Sequence, residues 1–131
     1  MRTYGAVITF AVFLGLASLA QAARLLSPPL PTDTETAGWC RILNTGTTPV
    51  TMQVRLFSNQ PGPLSIDFDS CNQAPLPGGQ ACAVLVEDLP DASYFACTVT
   101  ASNVSKLRGS IELLADFGNV GSRVLMGEEL R

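Results

Sequence analysis

The chain has 131 residues, a formal net charge of −3, no histidine and 47% hydrophobic residues. A mildly acidic chain with no basic run excludes a nucleic-acid surface, which needs clustered Lys and Arg. The missing histidine removes the usual general base near neutral pH, and with it Ser-His-Asp and Cys-His nucleophiles. The hydrophobic content is too high for whole-chain disorder.

Residues 1–22, "MRTYGAVITFAVFLGLASLAQA", join a positive Arg2 to an apolar run that ends at Ala20-Gln21-Ala22. This order reads as a signal-peptide helix cleaved after Ala22. A spanning anchor needs about 20 apolar residues; this run is shorter, so no membrane span is expected after cleavage. The expected location is secreted or periplasmic. Residues 23–37 carry Pro28, Pro29 and Pro31 and a Thr-rich end. They read as a flexible leader. The competing reading makes Leu25, Leu26 and Leu30 an irregular first strand. Residues 38–131 are one domain's worth of chain.

From Gly38 onward the dominant period is two, the period of strands. Cys40 and Ile42 share a face between Trp39 and Leu43. Val50, Met52, Val54 and Leu56 oppose Thr51, Gln53 and Arg55. Leu64, Ile66 and Phe68 oppose Ser65, Asp67 and Asp69. Cys82, Val84 and Val86 share a face, as do Phe95, Cys97, Val99 and Ala101. Leu107, Gly109, Ile111 and Leu113 oppose Lys106, Arg108, Ser110 and Glu112, and Arg123 to Met126 offers a last strand. Turn residues in "NTGTTP", "SNQPGP", "PLPGG", "LPDA" and "SNVS" separate these runs. About six to seven strands, each with one apolar face, predict an all-β antiparallel Greek-key sandwich.

Four cysteines in an exported chain read first as two disulfides. Cys71 and Cys82 flank one strand connection and predict a local bridge, which leaves Cys40 and Cys97 to pair between inward faces. A zinc site prefers cysteines in close pairs, and redox catalysis prefers C-x-x-C; neither spacing occurs. No metal or cofactor is therefore expected.

These residues carry two family resemblances. "VEDLPDASYFAC" resembles the entry into strand F of immunoglobulin-like domains. There Asp91, Ser93, Phe95 and Cys97 match a D-x-A-x-Y-x-C pattern, with Cys40 as the strand B partner. "LNTGTTPVTMQV" and "CNQAPLPGGQAC" resemble bacterial secreted domains of the abnormal-spindle/Hydin type. Both resemblances imply an immunoglobulin-like sandwich and no catalytic residue.

Chemistry-bearing groups are few. Asp67 and Asp69 sit two apart on a strand, and Glu87, Asp88 and Asp91 fall in an acidic turn. They are weak ligand candidates; a solvated strand face and an ordinary acidic turn are the favoured readings. Asn103-Val104-Ser105 is a glycosylation sequon. Lys106 and Arg108 share an outward face and read first as edge-strand charges that discourage sheet pairing, the alternative being a patch for an acidic partner. No enzyme is expected. The leading expectation is a non-enzymatic binding or structural module for an unknown protein or glycan at the cell envelope. The alternative is a small carbohydrate- or calcium-binding domain using Asp67, Asp69, Asp88 or Asp91.

Overall fold

The computed structural model describes residues 22–32, 36–90, 93–115 and 123–131. Residues 1–21 of the expected signal segment 1–22, and Asp91, lie outside the described residues. All regular structure among the described residues is β. The strands are β1 (Ala23–Leu26), β2 (Leu30–Pro31), β3 (Thr36–Asn44), β4 (Met52–Ser58), β5 (Phe68–Asp69), β6 (Ala81–Val86), β7 (Tyr94–Ala101), β8 (Leu107–Ala115) and β9 (Arg123–Glu129). They form two antiparallel sheets stacked as a sandwich. In one, β7 is flanked by β4 on one side and by β1 and β2 on the other. The second sheet runs β5-β6-β3-β8-β9.

The alternating residues supply the core. Cys40, Ile42, Met52, Val54, Cys82, Val84, Val86, Phe95, Cys97, Val99, Leu107, Ile111 and Leu113 are all buried in one cluster. Each large apolar side chain removed from water contributes about 1.5–3 kcal/mol. Phe95 is fully buried and packs where a side chain on Gly38 would stand; a Cβ there would lie 2.5 Å from its ring. Glycine at 38 is thus a packing requirement. Cys40 of β3 is bonded to Cys97 of β7 across the two sheets, with Cα atoms 6.2 Å apart. Cys71 is bonded to Cys82 of β6, with Cα atoms 5.1 Å apart. These are the pairs expected from spacing and strand parity, and they fit an oxidising compartment.

The outer face of the five-stranded sheet carries a second small cluster. Ala37, Leu85 and Leu114 are buried there, with Trp39 packed against them. Arg41 lies over the Trp39 ring, 4.9 Å from its centroid, and pairs with Glu112 at 3.8 Å.

Three expectations change. The stretch 23–37 is not simply a flexible leader, because β1 and β2 both pair with β7. Leu30 is 3% exposed and belongs to the core, and Leu25 packs against it. Pro28 and Pro29 interrupt the ladder rather than preventing it. Ser27 bridges the gap, its amide donating to Cys97 O (3.0 Å) and its hydroxyl accepting from Cys97 N (2.8 Å). Pro31 is tolerated because its nitrogen position faces away from β7, where no ladder donor is needed. Next, the strand expected over 64–69 shrinks to Phe68–Asp69. Phe68 pairs with Leu85 and points outward, 48% exposed, while Asp69 is half-buried. Finally, β8 is not an edge strand. It lies between β3 and β9, and Arg108 turns its guanidinium back onto Leu107 O (2.7 Å) and Ser105 O (3.2 Å).

Candidate functional site

A two-sheet sandwich has two seams where sheet edges face each other. One seam is joined here at the chain ends. Leu26 of β1 donates to Arg131 O (2.8 Å), and Arg131 N donates back to Leu26 O (3.0 Å).

The opposite seam lies along β4, and the loop between Cys71 and Cys82 sews part of it. At its first stitch Val50 and Leu76 exchange backbone hydrogen bonds (3.0 and 2.9 Å). Asn44 supports that stitch from inside. Its buried amide donates to Thr48 O (2.8 Å) and Leu76 O (3.0 Å), while its Oδ1 accepts from Gly46 N (3.0 Å). The second stitch is Asn72. Its Oδ1 accepts from Val54 N (2.7 Å) and its Nδ2 donates to Val54 O (3.0 Å). The side-chain amide thus takes the place of a neighbouring strand. Asp69 holds it there. One carboxylate oxygen accepts from Cys71 N (2.9 Å) and Asn72 N (3.0 Å), and the other from Asn72 Nδ2 (2.7 Å). The Cys71–Cys82 bridge fixes the base of this turn to β6, so the staple holds a clamp between the sheets.

Beyond Asn72 the seam opens. Cys97 directs its amide and carbonyl to Ser27, on the far side of β7 from β4. Its partner Leu56 therefore directs both backbone groups away from β7, toward the seam. Ser58 follows by alternation. Among the described residues no group takes the outward amide and carbonyl of Leu56. A cleft of about 260 Å³ adjoins them, walled by Leu56, Phe57, Pro63, Leu64 and Ile66. Phe57 and Ile66 are 47% and 45% exposed. Gly62, at φ +108°, turns the chain after β4, and Pro63 brings no amide proton to the edge.

The sequence-derived ligand candidates serve separate turns. Asp67 Oδ2 accepts from Glu87 N (2.8 Å), at the end of β6. Asp69 is engaged by the Asn72 clamp. Asp88 is exposed after β6. Among the described residues no three His, Cys, Asp or Glu side chains gather as metal ligands. Sequence reasoning missed Asn72 and the open part of the seam. The only local signal was an Asx-type arrangement, Asp69 three residues before Asn72 and beside a cysteine.

The chain matches no protein-family model, no curated protein and no solved structure.

Proposed function

We propose that the protein is an exported, non-enzymatic binding module, and that its partner engages the open part of the β4 seam. One observation carries this reading. Apolar exposure at Phe57 and Ile66 coincides with unclaimed backbone groups on Leu56, just beyond the stitches at Val50 and Val54. Secretion or periplasmic location is supported by the composition of residues 1–22 and by two disulfides in a small domain.

An immunoglobulin-like relationship is supported by the inter-sheet Cys40–Cys97 bridge. It is also supported by neighbours β5-β6-β3 and β4-β7, which correspond to D-E-B and C-F. The chain ends are exchanged relative to that pattern: the N-terminal strands flank β7 and the C-terminal hairpin flanks β3. The abnormal-spindle/Hydin-type grouping draws on the Asn44 turn and the Cys71–Cys82 loop. The alternative, glycan or calcium bound through surface Asp residues, lacks comparable support, because backbone amides of different turns engage Asp67 and Asp69.

The test is retention from envelope extract on immobilised oxidised protein, beside a Phe57→Asp/Ile66→Asp variant. Both substituted side chains are exposed, so the fold should survive. A macromolecule held by the parent protein and lost by the variant supports the reading. An identical retained set from both proteins would count against it.

A further inference from the structure

We infer that the open seam takes an extended peptide as an added antiparallel strand, with an apolar residue opposite Leu56 and an acidic residue beside Arg55. This rests on the reading of the seam given above and names its partner.

Strand addition needs a free edge, a pocket for alternate side chains and a reason for one register. The edge is the outward amide and carbonyl of Leu56, continued at Ser58. In an antiparallel pair the residue opposite Leu56 exchanges two hydrogen bonds with it, and the two side chains point the same way. Leu56 points inward, so the peptide's apolar side chain enters the cleft between Leu56, Leu64 and Ile66.

Register follows from the clamp. Asn72 already occupies Val54 N and O, so the added ladder extends from Leu56 toward Ser58 and stops at Val54. Charge selects the neighbouring position. Arg55 is exposed on the outer face, opposite Thr98 and between Gln53 and Phe57, and among the described residues it makes no ion pair. The peptide residue facing it follows the apolar one and lies on the same outer face. An acidic side chain there meets an uncompensated cation, while the residue on the other side of the apolar one faces Phe57.

The probe is a capped peptide, Thr-Thr-Val-Leu-Glu-Gly-Gly, titrated to about 1 mM into ¹⁵N-labelled oxidised protein. Saturable shifts are expected at Leu56, Ser58 and Ile66. Methylating the peptide's leucine nitrogen removes the donor to Leu56 O and should weaken binding about tenfold. Lysine in place of the glutamate should weaken it severalfold, and Arg55→Glu should restore that loss. Absence of shifts at these amides overturns the inference, as does equal binding of the methylated peptide. Shifts that track protein concentration alone would mean that a second copy fills the edge, which also overturns it. Equal binding of the methylated peptide at the same amides leaves the seam as a binding surface. Only loss of the retention difference for the Phe57→Asp/Ile66→Asp variant removes that.

Discussion

Asn72→Ala should open the seam at Val54. The substitution removes two hydrogen bonds to Val54 and one to Asp69. Net contributions of about 0.5–1.5 kcal/mol each apply to the Val54 pair. The bond to Asp69 is exposed and adds little. Water can reach the freed Val54 groups once the exposed Asn72 side chain is gone, so no full burial penalty follows. The expected loss is about 2 kcal/mol, or a fall in melting temperature of roughly 8–12 °C for a domain of this size. Urea unfolding of the oxidised protein, with an unchanged m-value, measures it. Asn72→Asp sharpens the test. It keeps an acceptor for Val54 N, loses the donor to Val54 O, and sets a second carboxylate against Asp69. At neutral pH it should be less stable than Asn72→Ala. A loss below about 0.5 kcal/mol for Asn72→Ala, or an Asn72→Asp protein as stable as the parent, refutes the clamp.

Other outcomes follow from the same geometry. Replacing Cys71 and Cys82 by alanine should cost about 3 kcal/mol on the chain-entropy model, and replacing Cys40 and Cys97 about 4, because their loop is longer. Denaturant midpoints of the two double variants, compared at equal m-value, give the order. Gly38→Ala should cost about 1–3 kcal/mol by forcing the Phe95 ring to move, read by thermal unfolding. Leu30→Ala should cost about 2–5 kcal/mol; a cost near zero would return residues 23–37 to a loose leader.

The inward faces of β3, β4, β6, β7 and β8 were legible because the residues that enter the main core recur at every second position along each strand. The same rule failed over 64–69. Alternation there is real, but Pro61, Gly62 and Pro63 bend the chain, and pairing begins only at Asp67 and Phe68. Once Phe68 pairs with Leu85, its side chain must point outward. Residues 23–37 misled because prolines suggest extended, unpaired chain, whereas Leu25 and Leu30 have the spacing to reach the core on either side of the Pro28-Pro29 break. Leu85 and Leu114 break the one-face pattern because Trp39 shelters a small cluster on the outer face. The Asn72 clamp had no signal beyond Asp69 standing three residues before Asn72, since its partner Val54 is 18 residues away and the contact depends on how the Cys71–Cys82 loop crosses the seam.

Amide hydrogen exchange along β4 tests the central claim most directly. A seam stitched at Val54 and open from Leu56 predicts slow exchange at Val54, held by Asn72, and at Arg55 and Phe57, which face β7. It predicts fast exchange at Leu56, whose amide faces the open cleft. In Asn72→Ala, Val54 should become as fast as Leu56 while Arg55 and Phe57 stay slow. A Leu56 amide as protected as Val54 in the parent protein, or a Val54 amide unchanged by Asn72→Ala, would contradict it.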